Sequence, residues 1–132
     1  VTDDSMDSPS MEKYVDTPCF NAVLNKEMWE MYLKNGYCGM KDYAVPLKAG
    51  SLENLPPALV ELAEFDCLHD QGKAFAEALE AAGNEVTLLE TKGTPHGYDG
   101  VLNSTVAKQC MDVRVRLLRK AFGMGEEKTE EI

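Results

Sequence analysis

Positive charge is scarce in this chain: 13 Lys and Arg face 23 Asp and Glu across 132 residues, leaving a formal charge of −10 and an isoelectric point near 4.6. Nucleic-acid binding rests on clustered cations that displace counterions from phosphates, so that partner class is excluded. Long apolar runs are missing as well. No stretch approaches the roughly 20 residues that span a bilayer, and the opening "VTDDSMDSPS" lacks the basic start and apolar centre of a secretory signal. A soluble protein of the cytoplasm is the expectation. Histidine is limited to His69 and His96, and Cys19, Cys38, Cys67 and Cys110 show no C-x-x-C spacing. Neither a disulfide framework nor a zinc site fits that scatter, so free thiols, no metal and no cofactor are expected.

What is present reads as one packed domain or a piece of one, with 44% hydrophobic and 27% charged residues in ordinary proportion. The chain opens on Val1 and Thr2 and runs at once into an acidic turn, as though a strand had been cut through, which suggests a piece excised from a longer protein. Residues 3–23, with Pro9 and Pro18, form a loop with one short helix at Ser10 to Tyr14. Asn25 is placed to cap a short amphipathic helix whose Met28, Trp29, Tyr32 and Leu33 share a face and which Gly36 closes. Residues 38–57 read as an irregular connector.

After Pro57 the pattern changes. "ALVELAEF", residues 58–65, has the length and bounds of a buried strand. A helix follows from Asp70 as N-cap, with Phe75, Ala76, Leu79 and Ala82 on one face and Gly83 as its stop. "EVTLLETK", residues 85–92, is a second strand, and strand–helix–strand implies parallel pairing. A glycine-rich loop "GTPHGYDGV" then leads to a long final helix carrying Val106, Cys110, Val113, Leu117 and Ala121 at helical period. The fold class is therefore α/β, with two parallel strands, or three if Val1 and Thr2 finish one. A parallel sheet that narrow lacks the coverage on both faces that such sheets need.

In α/β sheets, reactive groups gather beyond the carboxyl ends of the strands. Asp66 stands just after the first strand and His96 in the loop after the second, so an acid and an imidazole reach the same edge, 30 residues apart in sequence. A carboxylate on one imidazole nitrogen fixes the tautomer while the other nitrogen takes a proton from a nucleophile. The third member of such a triad sits in G-x-S-x-G ahead of the acid and base. Ser5, Ser8, Ser10, Ser51 and Ser104 all lack those glycines, so this chain holds no nucleophile of that kind. Asp70, four residues after Asp66, competes for the acid role, and helix-capping is the ordinary use of either.

Residues 54–98, "NLPPALVELAEFDCLHDQGKAFAEALEAAGNEVTLLETKGTPHGY", resemble the last third of the hormone-sensitive-lipase-like esterases, the alpha/beta hydrolase fold-3 group. Those proteins read LPPALV, then A-E-[YF]-D-P-L-R-D-E-G, a helix ending in AG, a strand, and a loop ending H-G-F. The resemblance implies Asp66 as the triad acid and His96 as the general base, and leaves Asp70 a structural helix-starting role. Cys67 replaces the usual Pro, His69 the usual Arg and Tyr98 the usual Phe. Cys67 lacks a glycine elbow and is not read as a nucleophile. The resemblance further implies residues 1–53 as the end of a core strand with a cap-region and connecting segment, and 54–124 as the C-terminal hydrolase core. Residues 125–132 are left as an acidic tail. It offers Trp29, Leu68 and Tyr98 as substrate-binding candidates, with Met28, Met31 and Tyr32 beside Trp29 lining an acyl pocket or simply packing the core.

The implied activity is that of a serine carboxylesterase or lipase-like hydrolase of short or medium acyl esters. Its nucleophile would lie on a missing N-terminal part of the same protein. The expected partners are a small-molecule ester, that missing part, and a second copy of the chain through exposed sheet edges. A non-catalytic, hydrolase-like interaction module is the alternative.

Overall fold

The computed structural model describes residues 1–125, so the expected acidic tail lies outside the described residues except for Gly125. The backbone divides into two compact units, Val1–Tyr98 and the segment from Asp99 onward. Among the described residues no helix is long and apolar enough to cross a membrane.

The first unit begins with α1, Pro9–Lys13, where Pro9 occupies the helix start and the Ser8 hydroxyl accepts the Met11 N–H at 3.3 Å. Helix α2, Ala22–Tyr32, begins a turn before the expected place. Asn21, not Asn25, caps it, taking the Leu24 N–H at 3.1 Å. Asn25 lies inside the helix and is fully buried; its amide nitrogen donates to the sulfur atoms of Met6 and Met11. Two asparagines four apart offer the same local signal, and the buried face Ala22–Asn25–Trp29 decides between them. Tyr32, expected on that face, is exposed. The connector is less irregular than expected: it contains α3, Lys41–Ala44, and a 3-10 turn, Pro46–Lys48, around the fully buried Val45.

Strand β1, Ala58–Phe65, has the expected bounds and pairs in parallel with β2, Val86–Pro95, from Ala58↔Val86 to Ala63↔Thr91. There the ladder breaks and resumes at Phe65↔Pro95, so β2 spends two more residues than β1 on this step. Gly93, at φ +69°, lies in the bulge, and its N–H donates to Glu64 Oε2 at 2.7 Å. The buried Thr91 hydroxyl bonds the Leu62 carbonyl at 3.1 Å and the Thr94 hydroxyl at 2.6 Å. Gly93 to Pro95, expected in the loop, thus belong to the strand and carry it to His96. Val1 and Thr2 form no strand; the Thr2 N–H donates instead to the side chain of buried Gln71, at 2.8 Å.

Helix α4, His69–Ala81, crosses between the strands. Leu62 and Ala63 of β1 and Ala76 and Leu79 of α4 are buried, as the helical face required. Gly72 stands so close to β1 that an added Cβ would lie 2.6 Å from Leu62 Cδ2. The helix ends in a Schellman motif: the Gly83 N–H meets Glu80 O and the Asn84 N–H meets Leu79 O. Its start departs from expectation. Leu68 holds the N-cap position without a side-chain bond, and Asp70 sits in the first turn. The cap is supplied from afar: the Ser10 hydroxyl accepts the Asp70 N–H at 3.1 Å, while Asp70 Oδ2 accepts the Ser10 N–H at 2.8 Å. Each residue therefore satisfies a free N–H at the start of the other's helix.

The second unit holds α5, Thr105–Ala121, capped by Ser104 and carrying Arg119 and Lys120 in its last turn, where cations complement the helix dipole. Asp99 pairs with Arg114 at 2.9 Å. Ala107 and Cys110 are its buried residues; Val106, Val113 and Leu117 are half-buried and Ala121 is exposed, so the expected stripe is narrower than its period suggested.

Candidate active site

Asp66 and His96 meet. Each follows directly on the last residue of its strand, Phe65 or Pro95, and parallel pairing puts both at one edge of the sheet. His96 Nδ1 lies 2.7 Å from Asp66 Oδ2, a charge-assisted hydrogen-bond distance. A carboxylate accepts, so the ring carries its proton on Nδ1 and directs the lone pair of Nε2 the other way.

Asp66 is buried, and its second oxygen is occupied: Oδ1 accepts the Leu68 N–H at 2.8 Å. Its backbone carbonyl accepts the His69 N–H at 3.1 Å. The carboxylate is thereby fixed by the turn that opens α4, which allows it to orient an imidazole. The His96 side chain is 40% exposed, and the Phe20 ring lies against it with centroids 5.1 Å apart. Gly97, at φ +72°, turns the chain sharply after His96. Tyr98 then donates its hydroxyl to Glu61 on β1, tying the histidine loop back to the strand.

Of the candidates for substrate contact, Leu68 is beside the pair, but its side chain packs against the cluster of Met11, Ala22 and Cys67. Tyr98 is two residues from His96 with its hydroxyl engaged on Glu61. Trp29 lies elsewhere, lining a cavity of about 260 Å³ with Val1, Met28, Tyr32, Tyr43, Ala44 and Pro46. Neither Asp66 nor His96 lines that cavity. Met31, expected beside Trp29, is exposed. Phe20, Glu61 and Ser10 support the site without any mark in the sequence, because each acts on a partner in a distant element of the chain, Glu61 across 37 residues and Ser10 across 57. All four cysteines are free. Cys67 is buried, and burial, with the adjacent Asp66 charge, pushes its thiol up to about 12, which removes the thiolate at neutral pH.

Residues 1–100 match the model of the alpha/beta hydrolase fold family. Ethyl acetate hydrolase of Pseudomonas putida is 34% identical over 98 residues, covering 74% of this chain and 31% of that protein. Carboxylic ester hydrolase LipN of Mycobacterium tuberculosis is 47% identical over 53 residues, covering 40% of this chain and 14% of that protein. Among solved structures, a bacterial heroin esterase is similar with a TM-score of 0.86 at 30% identity, covering 96% of this chain and 41% of that one. The chain therefore spans less than half the length of each of these relatives. A family match across most of the sequence, joined to a parallel β–α–β unit with an acid and an imidazole at its edge, places this chain in the alpha/beta hydrolase fold-3 family of esterases.

Proposed function

We propose that this chain is the C-terminal portion of a serine carboxylic-ester hydrolase acting in the cytoplasm on short or medium acyl esters. It contributes the acid and base of a Ser-His-Asp triad. The observation that carries this reading is the 2.7 Å bond from His96 Nδ1 to a buried, doubly engaged Asp66. Residues 54–124 are the part of the core that carries this pair.

In the proposed reaction His96 Nε2 takes the proton of a seryl hydroxyl supplied by the N-terminal portion of the protein. The hydroxyl oxygen attacks the ester carbonyl, and His96 returns the proton to the leaving alcohol as the acyl-enzyme forms. Water then repeats the sequence, giving up a proton to His96 as it attacks the acyl carbon and releasing the acid and the free serine. Asp66 keeps its negative charge throughout and stabilises the imidazolium. Leu68 contributes its N–H to Asp66, and Tyr98 holds the loop of His96.

The test is substitution in a polypeptide that also includes the segment with the serine. Asp66→Asn leaves the geometry in place with the wrong tautomer and lowers kcat by about 10⁴-fold, and His96→Ala lowers it at least as far. An Asp66→Asn enzyme within tenfold of the parent contradicts the assignment.

A further inference from the structure

His69 takes no part in the Asp66–His96 pair, yet both its ring nitrogens are engaged. Nδ1 is 2.9 Å from Asp70 Oδ1 and Nε2 is 2.9 Å from Glu90 Oε1. A neutral imidazole has one N–H and one lone pair, so it can serve one carboxylate while turning a lone pair on the other. Only the imidazolium donates to both. The charged groups facing the ring are Asp70 on its own helix and Glu90 on β2, with Lys92 on β2 reaching Glu90 at 3.5 Å. Helix α1 adds no charge here, only the Ser10 N–H and hydroxyl that bind Asp70.

We propose that His69 is a pH-gated clasp and a positioning residue: as imidazolium it ties the first turn of α4 to β2, and on losing its proton it releases Glu90. Asp70 stays because its other oxygen is held by the Ser10 N–H, whereas Glu90 is a half-exposed side chain on a strand. The clasp adjoins the site, since the His69 N–H bonds the Asp66 carbonyl and Leu68, one residue earlier, bonds the Asp66 carboxylate. Its consequence for catalysis rests on the triad reading given above; the clasp itself does not.

Burial of His69 disfavours its charge, but the two carboxylates outweigh burial and raise its pKa above the ordinary value. Burial likewise opposes the Asp70 carboxylate, and the His69 bond overcomes it. Glu90 is lowered chiefly by His69 and then by Lys92. The signs give a window. Stabilisation from His69 is complete below its unfolded pKa of about 6.5 and is lost as pH rises through the raised folded value. Stabilisation from the two acids is lost as pH falls through their lowered values. An arginine at this place would stay charged across the whole range and would have no alkaline release.

The test uses the full 132-residue chain and two readouts that need no activity. Proton NMR titration of the two histidines, with His96→Gln to identify His69, finds His69 titrating above about 6.5. Glu90→Gln moves that midpoint down, because one of the two carboxylates that favour the imidazolium is gone. In urea unfolding, with His96→Gln as the common background so that His69 is the one imidazole left, the midpoint falls more steeply with rising pH through the His69 titration when His69 is present than in the His69→Arg and His69→Gln counterparts, whose shared residual slope reports the other titrating groups. A His69 midpoint at or below 6.5 that Glu90→Gln leaves in place overturns the clasp. So does a His69→Arg chain with the same pH slope as its His69 counterpart. Loss of the triad assignment would alter none of these results.

Discussion

At the residue scale, burial and hydrogen bonding separate three side chains that are close together in sequence. Asp66 is buried with both oxygens occupied, Cys67 is buried with a raised pKa, and Asp70 is a half-buried bridge between helices. The thiols provide a direct check on this ordering. Ellman's reagent on the native chain is expected to label Cys19 and Cys38 quickly, because both are exposed, and to reach Cys67 and Cys110 only on unfolding. Rapid labelling of Cys67 in the native chain would contradict its burial. The pairing of Asp66 with His96 was legible in the sequence because each residue directly follows a strand, and parallel strands bring their ends together. The roles of Phe20, Glu61 and Ser10 were not legible, since nothing local to the loop "TPCF" or to a strand glutamate signals a partner far along the chain. The same holds for His69, where the sequence shows a histidine next to Asp70 but not that Glu90, 21 residues on, shares its ring.

At the element scale, β1, α4 and β2 form as their apolar patterns require, and the departures lie at their ends. The start of α4 is set by Ser10, 60 residues before Asp70, so its N-terminus is a tertiary contact that no local capping rule contains. The bulge in β2 is marked in sequence only by Gly93, which reads equally well as the start of a loop. Helix α2 is capped by Asn21, and Asn25 lies inside it against the sulfur atoms of Met6 and Met11. The reciprocal cap predicts a cost. Ser10→Ala removes the acceptor of the Asp70 N–H and the donor to the Cys67 carbonyl, in a residue that is 5% exposed. Stability to urea should fall by about 1–3 kcal/mol, and a loss below about 0.5 kcal/mol would show that water replaces the hydroxyl at little expense.

At the scale of the whole molecule, the bonded pair of Asp66 and His96 is present among the described residues, and no serine of the chain stands in G-x-S-x-G. The relatives it matches are each more than twice as long as the part it covers. The two facts fit a division of labour in which an N-terminal portion brings the nucleophile to the edge where His96 waits. The most direct test of that account is turnover of p-nitrophenyl acetate by this chain alone and by the same chain supplied with a portion bearing G-x-S-x-G. The account predicts turnover near the buffer rate for the chain alone, restored by the added portion and abolished again by His96→Ala. Strong hydrolysis by the chain alone, itself lost in His96→Ala, would contradict it.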